Sequence, residues 1–312
     1  MTVPDAARGE ISHAFPHALP NGRDVLFGVQ TPLEFEPATY VTPRLSPDGT
    51  QVAFGIYPPD GLGSSVWTSE WRTGRRARLN VEANIVIYPT WTADGERLAF
   101  TAARPDGRLW WTRADGGGGL ERLVAPEHPA IAGMWSPDGR VLVYVEADPV
   151  TQEDIWMLRL GEDPAPLVRT PARETAPAFS PDGRWLAYAA DDSGRHEVYV
   201  VRYPELDRRS VVSTGGGREP VWSRRGGELF YLDEENRLVA VPMDGGRPAG
   251  PAQRLFETSS IPDRFLTRTY DVAPDGQQFL LAEPTEVLPL DRIHLVEHWF
   301  EELARLVPAG GS

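Results

Sequence analysis

The sequence has no cysteine, which rules out a disulfide framework, a thiolate nucleophile and a zinc–thiolate site. It has no stretch approaching eighteen uninterrupted apolar residues, so no transmembrane helix is expected. The first residues lack a basic start followed by an apolar run, and the expectation is a cytoplasmic chain without a secretion signal. Positive charge is also scarce. Thirty-one Lys and Arg face forty-five Asp and Glu, a net charge of −14, and such a field repels phosphate backbones and anionic membranes. Neither nucleic acid nor a membrane is an expected partner.

Several catalytic signatures are missing as well. His13, His17, His128, His196, His294 and His298 show no HExxH or His-x-His spacing, so zinc is unsupported. The serines at Ser46, Ser136, Ser180 and Ser223 sit in no Gly-x-Ser-x-Gly elbow. Glycine runs at 116–119 and 215–217 lack the strand-to-helix context of a phosphate loop and read as turns.

Turn formers are abundant: thirty Gly and thirty Pro are scattered through a chain of 312 residues that is 41% hydrophobic. That composition gives many short elements around a packed core. The segments RLSPDGTQVAFGI, TWTADGERLAFTA, MWSPDGRVLVYVE, AFSPDGRWLAYAA, VWSRRGGELFYLD and DVAPDGQQFLLAE repeat one pattern. An apolar residue and a small polar one lead into a turn, and an alternating apolar strand follows. The turn Asp recurs as Asp48, Asp94, Asp138, Asp182 and Asp275, with Arg225 in its place once, at intervals of 46, 44, 44, 43 and 50 residues. This is the period of a propeller blade. In each turn Pro presets φ, Asp can accept backbone amides and Gly takes positive φ. Third strands are read at SSVWTSEW, RLWWTRA, DIWMLRL, EVYVVRY and RLVAVPM. The aromatic residues before the turns, Trp91, Trp135, Phe179 and Trp222, are read as packing between blades.

The predicted fold is therefore all-β: a single six-bladed propeller of four-stranded antiparallel blades over residues 1–312. A hairpin at 11–30 would close the ring, repeat blades fill 40–300, and 301–312 form a tail. Residues 24–30 are expected to complete the last blade beside a strand within 293–300, because combining both termini protects the sheet edges.

These motifs resemble the TolB-like propeller repeats, and more closely the propeller found C-terminal to bacterial serine/threonine protein kinases. FPHALPNGRDVLFGV, FSPDGRWLAYAADDSGRHEVYVVRYP and STGGGREPVWSRRGGELFY carry the likeness. No Gly-rich phosphate loop with its Lys and no His-Arg-Asp loop accompanies them. The resemblance implies a module that binds a protein, peptide or small-molecule ligand through its channel face.

Candidate site residues follow from where propellers place function, at the channel mouth near the starts of the innermost strands. Tyr88, His128, Glu174, Arg218, Glu219, Arg268 and Asp271 are the predicted ligand-binding set, beside Tyr40 and Arg44. A rim of Asp60, Arg104, Asp106, Glu146, Asp148, Asp191, Asp192, His196, Asp233 and Glu234 surrounds them. Glu174, Glu219 and Asp271 come from separate blades and are candidate oxygen ligands for Ca²⁺. His17 and His128 are candidate bases. The alternative reading is a calcium-dependent hydrolase of activated esters or phosphoesters, of phosphotriesterase or lactonase type.

Overall fold

The structure, a computed structural model, describes residues 17–18, 25–26, 30–33, 39–58, 63–70, 73–81, 85–103, 108–258, 267–283 and 292–296. All regular elements among the described residues are strands. Each repeat becomes an antiparallel sheet in which consecutive strands are neighbours. Blade A joins Thr39–Leu45, Gln51–Tyr57, Ser65–Glu70 and Arg75–Arg78; blade B joins Ile85–Trp91, Arg97–Ala103, Arg108–Arg113 and Glu121–Val124. Blade C holds Ala130–Trp135, Val141–Asp148, Gln152–Arg159 and Ala165–Val168; blade D holds Glu174–Phe179, Trp185–Ala190, Glu197–Arg202 and Ser210–Val211. Blade E joins Arg218–Trp222, Glu228–Leu232, Arg237–Asp244 and Gln253–Glu257, with Arg247–Pro248 folded back on its third strand.

Five blades are thus continuous in the chain, one fewer than the six-bladed count expected with the last blade closed by both termini. The copy around Asp275 makes a composite sheet of Tyr270–Val272, Phe279–Glu283, Arg292–Val296 and the N-terminal strand Gln30–Leu33. That closing strand pairs Thr31 with Leu295, so it lies just beyond the predicted 24–30. The reason is local: Val25 and Leu26 already pair with Ala18 and His17 in a separate two-stranded hairpin. The next extended segment is the one left to satisfy the sheet edge. The predicted tail at 301–312 lies outside the described residues.

The first strand of each sheet packs against the first strand of the next, and Tyr270–Val272 returns to Thr39–Leu45, so the series closes on itself. Each pair of neighbouring sheets shares one apolar cluster. Phe230, Leu238 and Leu255 of blade E meet Tyr270, Val272 and Phe279 of the closing sheet, and Leu280 and Ala273 of that sheet meet Tyr40, Val52 and Phe54 of blade A. Second strands are therefore covered on both faces, which is why Val141–Val145 and Leu229–Leu232 are buried throughout instead of alternating.

Two repeated devices shape the channel. In four of the six turns the hydroxyl of the leading residue donates to the Asp: Ser46 to Asp48 at 2.5 Å, Thr92 to Asp94 at 2.6 Å, Ser136 to Asp138 at 2.5 Å and Ser180 to Asp182 at 2.6 Å. The Gly follows at φ between +69° and +74° in these turns and the Ser223 turn, and it packs on the preceding repeat's turn. A Cβ on Gly49 would meet Pro274 at 2.9 Å, so the contact crosses the point where the ring closes.

The second device is a bulge near the end of each blade's first strand. Register shifts between Val41 and Arg44, Ile87 and Thr90, Ala132 and Met134, Thr175 and Ala178, and Arg218 and Val221. In four blades the bulged residue has positive φ: Thr42 at 49°, Tyr88 at 57°, Ala176 at 50° and Glu219 at 56°. In all four a proline follows, which cannot donate to a ladder and so suits a point where the ladder is interrupted. Non-glycine residues rarely adopt this region, so its recurrence at one position marks a shaping feature of the repeat.

Candidate functional site: the turn-face mouth of the channel

The bulge sets the direction of the next side chains. Arg44, Thr90, Met134, Val221 and Asp271, which each directly precede the final apolar residue of their strand, line one central cavity of about 240 Å³. The wall is completed by Trp91, Trp135, Trp222, Arg224, Arg268 and turn residues such as Pro47, Ala93, Pro137 and Pro181. Every sheet contributes, which places the cavity on the ring axis, at the mouth framed by the Ser-Pro-Asp-Gly turns.

The cavity is two-sided. Blades B, C and D give Thr90, Met134 and prolines, while blade E, the closing sheet and blade A give the charges. Asp271 is buried and its Oδ2 accepts the Leu45 amide at 2.9 Å. Arg224 Nη2 lies 3.6 Å and Arg268 Nη2 3.5 Å from its carboxylate. Burial alone would push this carboxyl up, but the guanidiniums of Arg268, Arg224 and Arg44 outweigh it and hold the group below its ordinary 3.8. Arg44 spans the seam between blade A and the closing sheet, donating to the Arg268 carbonyl at 2.7 Å and to Thr267 Oγ1 at 3.0 Å. Burial and the like charge of Arg268 lower it to about 9, so it remains charged at neutral pH. Arg224 reaches across to the carbonyls of Leu45, Ser46 and Pro47 at 2.8–3.1 Å. Three guanidiniums thus surround one carboxylate in a protein that contains no lysine at all. Trp91 Nε1 donates to the Arg44 carbonyl at 3.0 Å, while Nε1 of Trp135 and Trp222 and Nε of Arg44 and Arg268 are buried without an acceptor among the described residues.

Of the predicted ligand-binding set, the structure brings Arg268 and Asp271 to this cavity, together with Arg44, and leaves the others outside it. Tyr88 is the buried bulge residue of blade B. Glu174 is buried and occupied by Thr170, whose hydroxyl and amide both donate to it. Arg218 donates to the Asp233 carbonyl and the Asn236 side chain. Glu219 is fully buried, accepts the Thr269 amide and hydroxyl at 2.6 and 2.7 Å, and is pushed above its ordinary value by that burial. The three carboxylates expected to converge on Ca²⁺ are therefore engaged separately, and no group of three His, Asp or Glu side chains suited to a metal occurs among the described residues. The bulge explains this: it turns Glu219 back into the wall between blade E and the closing sheet.

His128 lies on the link before blade C, with its amide on Glu146 Oε1 at 3.1 Å; His17 falls in the short hairpin strand. Much of the predicted rim pairs with arginine: Asp148 with Arg169, Asp192 with Arg209, Asp233 with Arg237. Asp191 accepts the Arg173 amide and Glu146 the His128 amide. Asp60, Arg104 and Asp106 lie outside the described residues.

The sequence reading sought candidates near the starts of the first strands; Arg268 and Asp271 of that set line this cavity, and Trp91, Trp135, Trp222 and Arg224 join them from outside it. The three tryptophans do pack between blades, yet they also face the axis. Arg224 had a visible signal, since it stands where four other copies carry the turn Pro, in the one copy whose turn reads Ser-Arg-Arg-Gly.

No family model matches the sequence. The chain is 26% identical over 206 residues to the uncharacterised peptidase YuxL of Bacillus subtilis, covering 51% of this chain and 31% of that protein. It is 23% identical over 146 residues to the Tol-Pal system protein TolB of Nitratidesulfovibrio vulgaris, covering 39% of this chain and 31% of that one. The chain spans about a third of the length of either relative. Among solved structures, a TolB-type protein of Agrobacterium tumefaciens superposes with a TM-score of 0.66 at 18% identity, over 82% of this chain and 92% of that one. The fold is a TolB-like β-propeller.

Proposed function

We propose that the protein is a non-catalytic binding module that presents the turn-face mouth of its channel to a protein, peptide or small ligand. The observation that carries this reading is the axial cavity itself, walled by three tryptophans from blades B, C and E and by Arg44, Arg224 and Arg268. Such a mixture of apolar wall and few convergent polar groups is what ligand sites share. The likeness to a TolB of the Tol-Pal system supports a protein partner. In its finer form the reading treats the composite sheet as a sixth blade, the chain as one propeller domain, and the kinase-linked propellers as its nearest functional model.

Ala93 stands at the rim where other copies carry proline, so Ala93→Trp would block the mouth and leave the core intact. A thermal-unfolding screen of organic acids, neutral compounds and short peptides tests the proposal, because a ligand of the folded state raises its melting temperature. Compounds that stabilise the wild type and fail on Ala93→Trp support it. Compounds that stabilise both equally place binding elsewhere.

A further inference from the structure

The polar groups of the cavity are out of balance. Its unsatisfied buried atoms are all donors: Nε of Arg44 and Arg268, and Nε1 of Trp135 and Trp222. Arg44 and the two tryptophans are at most 7% exposed, so water satisfies them poorly, and a buried donor without an acceptor is destabilising. The charges are unequal in the same direction, with three guanidiniums around Asp271. In a chain of net charge −14, three arginines and a single carboxylate line this one cavity.

From these observations we propose that the cavity binds an oxyanion carried on a small apolar body, with the guanidiniums of Arg268 and Arg224 as its donors. The proposal rests on the binding-module reading and names the chemistry of the ligand. An oxyanion gives the lining guanidiniums an acceptor and offsets the excess charge. The apolar body faces Met134, Thr90 and the tryptophan rings on the opposite wall. A carboxylate and a phosphate ester both present this chemistry. Arginine also suits it, because its planar fork matches either anion.

Calorimetric titration distinguishes the possibilities with three probes: N-acetyl-phenylalanine, its neutral amide, and phenyl phosphate. Either acid should bind at least tenfold more tightly than the amide, and the tighter one identifies the oxyanion. Arg268→Met should weaken the acids at least tenfold and leave the amide unchanged, while Arg169→Gln on the opposite face should leave all three unchanged. Should Arg268→Met fail to fold, Ala93→Trp serves as the blocked variant and abolishes binding of the acids. Equal binding of amide and acids overturns the oxyanion assignment and leaves the cavity a binding site. If no probe binds at millimolar concentration, the oxyanion assignment falls, and the thermal-unfolding screen decides the wider reading separately.

Discussion

At the scale of single residues, Asp271 and Glu219 show how one fold sends two buried carboxylates in opposite directions. Asp271 is held below 3.8 by three arginines, so its contribution is fully present above that value and is lost as pH falls through the lower folded one. Removing it leaves those arginines without their counter-ion. Asp271→Ala should cost about 3–5 kcal/mol at pH 7 in urea unfolding, the range for breaking a buried pair. Glu219 is raised above 4.5 by burial, so folding favours its protonated form and stability contributed there grows as pH falls toward 4.5. Glu219→Gln should accordingly raise the melting temperature at pH 7 and change it little at pH 4. The turn carboxylates are simpler. Asp138 accepts the Ser136 hydroxyl and the Arg140 amide, and Asp138→Ala should cost about 1 kcal/mol by denaturant titration.

Among the elements, the bulged first strand does most to shape the cavity and was least visible in the sequence. The repeat, its turns and the third strands were all legible, because turn chemistry and apolar runs act over a few residues. The bulge depends on how a strand meets its neighbour, and its one local trace is the proline after Thr42, Tyr88, Ala176 and Glu219. Without it, counting residues along the strand puts Glu219 on the axis and hides Val221. Glycine in a strand usually costs 0.5–1 kcal/mol, but Ala176 holds φ at +50°, where an L-residue is penalised by about 1–2 kcal/mol. Ala176→Gly should therefore stabilise the protein by about 0.5–1 kcal/mol, read as a higher midpoint in urea. The seam between blade E and the closing sheet rests on Phe230 and Phe279, packed edge to face at 5.1 Å. Phe230→Ala should lose about 3–5 kcal/mol there.

Across the whole molecule, closure joins sequence-distant segments, which is why the closing strand was anticipated in kind and misplaced by a few residues. Local patterning marks Gln30–Leu33 as one extended segment among several, and the choice between them is made by the hairpin that occupies Val25 and Leu26. The ring also assigns the two mouths different characters. One carries carboxylates paired with arginines, and the other a cavity in which three arginines face one carboxylate. Hydrogen–deuterium exchange with and without saturating phenyl phosphate tests directly whether the second mouth is the binding face. The account predicts slowed exchange at residues 45–48, 91–94, 135–138 and 222–225, and unchanged exchange in the loops at 148–151 and 191–196. Protection confined to the latter loops would contradict it.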